Sequence, residues 1–454
     1  MPETIETLVR RAAAANAARI AVDDGAAALT YAELDAAADR GARALAAEGL
    51  AAGEPVLVPV SGRAADLVAF LAVQRAGGVA APVHRTTPPA AAETLRARLG
   101  ARFAMEAAPR RLADAAPRAL DPEAGAVIFT SGSTGAPKGV VLSAARAADK
   151  LAMIARMTDW GEGGTTAHAL QLTFSFGQWA SWLTLARGGT LHLRGRFDPA
   201  EFRALAARAD RLPAAPTVLR RLAETPGPAV AARIMSGGEP LPAPLGARLR
   251  AAFPDAPLGD IYGLTETGTS DLFVPPEDYD ALAGTLGRPG EGIEIRLSPE
   301  GELQIRSPWR MLHYLDAPDL TAEAMPDGWF RTGDLAETTP EGAYRLIGRL
   351  KDLVIRAGNK LAPLEIEAAF LAHPDVAAAL AAGAPDPERG EALHLALVLR
   401  DGATTSPETL RAWAAERLER WKLPDTIRLM PDLPTGPTGK ADRAALRRLA
   451  EPAR

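Results

Sequence analysis

The chain has 454 residues, 47% hydrophobic and 24% charged, with a formal net charge of −5 and no cysteine. That length calls for two or three cores, the composition is that of an ordinary globular protein, and the acidic balance argues against a nucleic-acid binder. Without cysteine there is no disulfide, thiolate metal site or cysteine nucleophile, which suits a reducing cytoplasm, the expected location.

The opening stretch, MPETIETLVRRAAAANAARIAV, is acidic at once and has no apolar core region. It reads as an amphipathic helix, not a signal peptide. TYAELDAAADRGARALAAEGL has helical period and stops at Gly49. EPVLVPV reads as a short buried strand, AADLVAFLAVQRAGG as a helix and GVAAPV as a strand. Gln74, Arg75 and two glycines break this apolar region, so no membrane insertion is expected. GAVIFT, TLHLRG and ARIMSGG read as strands entering glycine turns. This βαβ rhythm predicts a mostly parallel sheet covered by helices. From about residue 284, GIEIRL, GELQIRS, GAYRLIGR and KDLVIRAG alternate as short strands, which suits an antiparallel sheet or barrel. The last hundred residues, with LEIEAAFLAHP, ALHLALVLRDG, SPETLRAWAAERLERW and a final basic helix, form a small α+β unit.

Of the 51 basic residues only six are lysine: Lys138, Lys150, Lys351, Lys360, Lys422 and Lys440. Where lysine persists in an arginine-rich chain, a compact ammonium is wanted in place of a planar fork. For Lys150 and Lys422, chance codon usage stays open as the alternative. Lys138 sits in TSGSTGAPKG, residues 130–139. The glycines let successive N–H groups point inward as an anion nest, four hydroxyls add donors, and the lysine adds charge. Such a loop suits a polyphosphate, although the order is not that of a Walker A loop. In IYGLTETGTS, residues 261–270, Tyr262 offers a ring for a purine, Thr265 a hydroxyl for a phosphate and Glu266 a carboxylate for Mg²⁺. A helix-capping box with the tyrosine in the core is the alternative. DGWFRTGDL places Asp334 after a tight turn, as a ribose acceptor or a turn-stabilising aspartate. GRLKDLVIRAGNKLAPLEIE reads locally as an exposed strand and turn, and PTGPTGKADRAAL as a loop with Lys440 at its tip.

In this order and spacing the motifs resemble the adenylate-forming superfamily: acyl-CoA synthetases, adenylation domains of nonribosomal peptide synthetases and beetle luciferases. The likeness runs over nearly the whole chain and is nearest to acyl- or aryl-CoA ligases. It implies an α/β fold: a large N-terminal domain of two helix-covered sheets plus a distorted barrel, residues 1–350, and a small mobile α+β domain, residues 351–454. It also implies an ATP-dependent acid–thiol ligase. A carboxylate attacks the α-phosphate of MgATP, and the thiol of CoA or of a carrier-protein pantetheine then takes the acyl group.

By that resemblance Thr130, Ser131, Ser133, Thr134 and Lys138 hold the leaving phosphates. Gly237, Gly238 and Glu239 lie against the adenine, with Tyr262 on its face. Thr265 bonds the α-phosphate, Glu266 binds Mg²⁺, and Asp334 with Arg349 holds the ribose. Lys440 bridges carboxylate and phosphate in adenylation. Lys351 is the hinge, and Gly358 lines the thiol tunnel, where a side chain would block access. The acid pocket falls on Phe174, Ser175, Trp179, Ser236, Gly259 and Gly263, with the last two leaving space for a ring or chain. Ser175 stands where amino-acid activators carry an aspartate, which disfavours an α-amino acid. The aromatic stretch favours an aromatic or medium-length apolar acid. Phe174 stands where coumarate ligases and luciferases often have histidine. Ala144 and His313 depart from the usual histidine and glycine. Transfer to an amine, and a non-catalytic nucleotide-binding regulator, are the competing readings.

Overall fold

The structure is a computed structural model and describes residues 2–130, 137–435 and 441–450. By packing, the chain divides into two compact units: residues 1–296, 304–331 and 340–343 form one, and residues 297–303, 332–339 and 344–454 the other.

The first unit holds two large sheets. In one, six strands run parallel, from Leu258–Tyr262 through Arg233–Gly237, Arg211–Ala214, Thr165–His168 and Thr190–Leu193 to Ile20–Asp23. Antiparallel strands extend both edges: Leu272–Val274 and Arg288–Pro289 at one, Ala28–Thr30 at the other. In the second sheet, Ala124–Thr130, Val79–His84, Pro55–Val60 and Phe103–Met105 are parallel neighbours. Lys138–Ser143 and His313–Tyr314 continue it antiparallel. The βαβ reading therefore holds for both sheets, and the apolar runs EPVLVPV and GVAAPV are interior strands, as their unbroken hydrophobicity requires.

The helix Ser175–Ala186 is buried along most of its length, and its buried polar residues Gln178, Ser181 and Thr184 each donate to a backbone carbonyl. Trp182 packs edge-on against Phe70, with ring centroids 5.5 Å apart. Its C-terminal end is pinned by the buried Tyr31 hydroxyl, which donates to Leu185 O or Gly189 O, at 2.9 and 2.8 Å. These contacts fix where the start of this helix presents Ser175.

Three of the short strands expected after residue 284, those of GIEIRL, GELQIRS and GAYRLIGR, join Phe330–Thr338 in a four-stranded sheet as Glu294–Leu297, Glu302–Arg306 and Tyr344–Arg349, whereas the strand of KDLVIRAG, Val354–Arg356, pairs with Gly390–Leu399 in a different sheet. The second unit's own core lies where the helix Pro363–Leu371 meets the hairpin Val376–Asp386 and Gly390–Leu399, around Ile366, Phe370 and Leu393. The expected helix over SPETLRAWAAERLERW is shorter than its pattern and ends at Ala415. Among the described residues no helix is long and apolar enough to cross a membrane.

Candidate active site

The site begins at a hairpin. Ala124–Thr130 and Lys138–Ser143 pair antiparallel with Thr130 opposite Lys138, so these two residues flank the loop between the strands. Ser131, Ser133 and Thr134 of that loop, and Lys440, lie outside the described residues.

Lys138 Nζ sits 5.2 Å from the ring centroid of Tyr314, within reach of a cation–π attraction. The Tyr314 hydroxyl donates to Glu266 Oε1 at 3.1 Å. Glu266 belongs to the 3₁₀ turn Thr265–Thr267; Thr265, the capping residue of the local alternative, lies inside that turn, and Leu264 stands at its cap. Its carbonyl accepts from Met311 N at 2.7 Å. Burial pushes the Glu266 carboxyl up from its ordinary range, against the pull of the Tyr314 hydroxyl, Lys138 and Thr130. A buried carboxylate of this kind gains most from a cation. Among the described residues no cluster of three ligating side chains could hold a metal. Mg²⁺ is commonly held by one or two carboxylates and completes its shell with phosphate oxygens and water. The buried Glu266 carboxyl is a donor of the type such an ion takes.

Next to it, Ser175 Oγ and Thr265 Oγ1 are 2.6 Å apart. Two hydroxyls therefore meet where the buried helix starts and the Glu266 turn begins. The following residues are held in an uncommon conformation: Thr269 and Ser270 both take positive φ, 66° and 51°. Thr269 N donates to Leu264 O at 2.8 Å and Asp271 N to Tyr262 O at 2.7 Å, which locks the turn.

The glycines differ from expectation. A Cβ on Gly263 would overlap the Ser270 amide nitrogen and lie 2.8 Å from Thr269 C. One on Gly259 would lie 3.0 Å from Val274 O and 3.5 Å from Met235 Sδ. At both, backbone fills the side on which a Cβ would stand, where the sequence reading expects open space. Gly237 and Gly238 face the Phe176 ring, with Cβ positions 3.3 and 3.6 Å from it, and Phe176 in turn stacks on Trp179 at 5.4 Å. Glu239 reaches Thr217 N at 3.4 Å, at the start of the helix Pro216–Glu224, where a carboxylate complements the helix dipole. Phe174 immediately precedes the helix Ser175–Ala186 and is half-buried, and so is Tyr262 at the end of its strand. Ser236 is buried opposite Asp260 across two parallel strands. Burial pushes the Asp260 carboxyl up to about 7, and the neighbouring Ser236 hydroxyl only partly offsets this.

In the second unit, Asp334 is 1% exposed and pairs with Arg349, Nε to Oδ1 at 2.8 Å, from directly opposite across the strand pair. The turn before it is tied by Gly333 N to Glu302 Oε1 and Asp334 N to Thr332 Oγ1, each 3.0 Å. Lys351 is exposed on a 3₁₀ turn. Gly358 and Ala357 both have positive φ, 82° and 48°, between paired strands that make a two-residue hairpin with Arg356 opposite Asn359. This is the backbone of a type I′ turn, which accounts for the glycine without any substrate. Nothing lies within 4 Å of its Cβ position.

Three features went unread in the sequence. Tyr314 joins Lys138 to Glu266, although its residue spacing gave no sign of it. Arg443 donates to Glu367, with Nη2 3.1 Å from Oε2, and to Ala381 O at 2.5 Å, and its Nε lies 3.6 Å from Asp352. It anchors the chain three residues after Lys440 beside the turn that holds Lys351. Lys150, for which sequence reading keeps codon usage open, is buried and paired with Asp271 at 3.0 Å.

The sequence profile described as AMP-binding enzyme matches residues 9–124 and 106–315, and that of the AMP-binding enzyme C-terminal domain matches residues 365–440. A fatty acid–[acyl-carrier-protein] ligase of Streptomyces coeruleorubidus is 30% identical over 92% of this chain and 91% of its own length. A feruloyl-CoA synthase of an Amycolatopsis species is 30% identical over 94% and 95%. The solved structure of the o-succinylbenzoate CoA synthetase of Bacillus subtilis, in complex with its acyl-adenylate intermediate, superposes with a TM-score of 0.85 at 26% identity, covering 100% of this chain and 99% of that one.

Proposed function

We propose, from the premise that this chain belongs to the AMP-binding enzyme family and is an ATP-dependent acid–thiol ligase, that the residues assembled around Glu266 carry its adenylation step. The observation that supports this most is the run Lys138–Tyr314–Glu266 beside the Ser175–Thr265 hydroxyl pair. It sets an ammonium, a buried carboxylate and two hydroxyls around one turn.

In the first half-reaction an oxygen of the substrate carboxylate bonds to the α-phosphorus of ATP, and the bond to the bridging oxygen of pyrophosphate breaks. Thr265 would donate to the α-phosphate, and Glu266 would hold Mg²⁺, which supplies positive charge to the phosphates. Thr130, Ser131, Ser133, Thr134 and Lys138 would hold the group that leaves. Lys440 would bridge carboxylate and phosphate and offset their repulsion. Gly237, Gly238, Glu239 and Tyr262 would frame the adenine, and Asp334 with Arg349 the ribose. No side-chain nucleophile is needed, since positioning and charge stabilisation carry the step.

In the second half-reaction the sulfur of CoA or of a carrier-protein pantetheine attacks the acyl carbon, and AMP leaves. Residues 351–454 would turn about Lys351 between the steps, withdrawing Lys440 and bringing Gly358 to the thiol path. Phe174, Ser175 and Trp179 would line the acyl group, with Ser236, Gly259 and Gly263 as its packed floor. An apolar body, aromatic or of medium length, suits these walls, and the fatty-acid and feruloyl relatives are in line with it. A cytoplasmic site is in keeping with the use of ATP and CoA.

The test is carboxylate-dependent ATP–pyrophosphate exchange without CoA, over benzoates, cinnamates, fatty acids of several lengths and α-amino acids. Exchange with an apolar class, and AMP release only when a thiol is added, are expected. Exchange confined to α-amino acids would overturn the substrate reading, and no exchange at all would overturn the enzyme reading.

A further inference from the structure

A cavity of about 60 Å³ inside the first unit is lined by Ser175, Thr265 and Trp179 and also by Lys150, Trp309 and Thr269. It therefore joins the hydroxyl pair of the reaction site to a buried lysine. Lys150 projects from the helix Ala144–Met157, where its neighbours Leu151, Met153 and Ile154 are core residues. Asp271 accepts from its Nζ at 3.0 Å, and the Trp309 ring centroid lies 4.7 Å from it. Trp309 is held in place by its own Nε1, which donates to Asp149 Oδ2 at 2.8 Å. Asp271 also accepts from Thr267 Oγ1.

An ammonium carries three N–H donors. Among the described residues, Asp271 is the one acceptor Lys150 has. A buried donor without an acceptor costs free energy, and a charged one more, so a substrate acceptor in this cavity would gain both the bond and the relief of that cost. Burial draws both Lys150 and Asp271 toward their neutral forms, and their mutual attraction opposes it. The pair has no net charge. A second carboxylate on the substrate would add an uncompensated charge to a buried space that already contains one carboxylate, which is costly. A neutral oxygen would not.

Resting on the ligase reading above, we propose that Lys150 is a specificity-determining residue and that the acid bears a neutral oxygen acceptor, a hydroxyl or keto group, on the part of its body that lies against Lys150 and Trp309. The size of the cavity sharpens this. A cavity of about 150 Å³ takes a benzene ring, so the space of about 60 Å³ beside Lys150 takes only the oxygen-bearing end of the acid as it stands, and a whole ring enters it only if the partly exposed Trp309 swings.

The experiment is ATP–pyrophosphate exchange on the full chain with acids matched in pairs: lactate with propionate, hydroxybutyrate with butyrate, levulinate with valerate, para-hydroxybenzoate with benzoate. Succinate is the charged control. The readout is the ratio of kcat/KM within each pair. The wild-type protein is expected to favour the oxygenated member of at least one pair by about ten- to a hundredfold, the range a charged hydrogen bond supplies. In Lys150→Met/Asp271→Asn, which removes both charges and leaves Thr267 a partner, that ratio is expected to fall to about one. If this variant lacks a cooperative melt, the wild-type ratios decide alone. Exchange with wild-type ratios near one in every pair would overturn the proposal and leave Lys150–Asp271 as a brace for the Glu266 turn. A ratio kept by the folded variant, or a preference for succinate, would overturn it too. No exchange with any acid would remove the ligase reading itself, and this inference with it.

Discussion

The two units hold their candidate residues in opposite ways. In the first, Glu266 is buried, the turn after it is locked in positive φ, and Gly263 and Gly268 have backbone where a side chain would go. In the second, Lys351 and Gly358 are exposed, and Gly333 and Gly358 have open space at their Cβ positions. One region is preorganised by packing. The other is built largely from exposed hairpins and turns, with tight points at the buried Asp334 and at Arg443. A fixed charge environment suits phosphate chemistry, which gains from groups that need no reorganisation. Exposed turns suit a segment that has to change partners.

The largest test of that contrast is Lys440→Ala. If the second unit lends its lysine only to adenylation, acid-dependent pyrophosphate exchange should fall by about a hundred- to a thousandfold. Thioester formation from supplied acyl-adenylate should persist. Equal loss of both half-reactions, measured by single-turnover chemistry, would dissolve the division of labour.

The packed unit should also show its burial in a pH titration of stability. The Asp260 carboxyl is raised from its ordinary 3.8 to about 7. The folded protein therefore binds this proton more tightly than the unfolded chain. Its contribution to stability is complete below about pH 4 and is lost as pH rises through 7, a change of about 4 kcal/mol at about 1.4 kcal/mol per pH unit. Asp260→Asn should flatten the dependence and exceed the wild type at pH 8 in denaturant melts. A variant that keeps the slope would assign it to another group.

How much of this was legible depends on the distance between partners. The stretch 130–139, the Glu266 turn and the Asp334 strand are local motifs, and their residues could be named one by one. Lys150 could not be understood that way, because its partner Asp271 lies 121 residues on and neither stands in a motif. Tyr314 is 48 residues from Glu266 and follows His313, which drew notice only as a departure. At Gly259 and Gly263 the sequence could not show that backbone stands where a Cβ would be.

In the second unit the anchor at Arg443 can be broken without touching the open turns. Arg443→Met leaves the buried Glu367 carboxylate without its cation, and burial already pushes that carboxyl up. Losing one partner of a buried pair typically costs about 3–5 kcal/mol, and the partial exposure of Arg443 places the expected loss near about 3 kcal/mol. Melts of the full chain should show a lowered transition for residues 344–454, with pyrophosphate exchange falling in parallel. Unchanged melting would mean that the helix Pro363–Leu371 holds without this anchor.

The smallest effects separate the two kinds of glycine most directly. Gly358→Ala meets no neighbour, and its cost is the left-handed backbone alone, about 1–2 kcal/mol. Gly263→Ala must displace the Thr269–Ser270 backbone, which is itself held in positive φ by two hydrogen bonds. Overpacking of this kind costs about 1–3 kcal/mol even when neighbours yield. Since backbone yields less than side chains, the upper end is expected. The shift should also move Thr265 and Glu266, so adenylation should fall further than stability alone predicts. Gly358→Ala should leave adenylation nearly intact, and whether it slows thiol transfer then tests its place on the thiol path. If both substitutions lowered adenylation alike, packing would not be what distinguishes the two units.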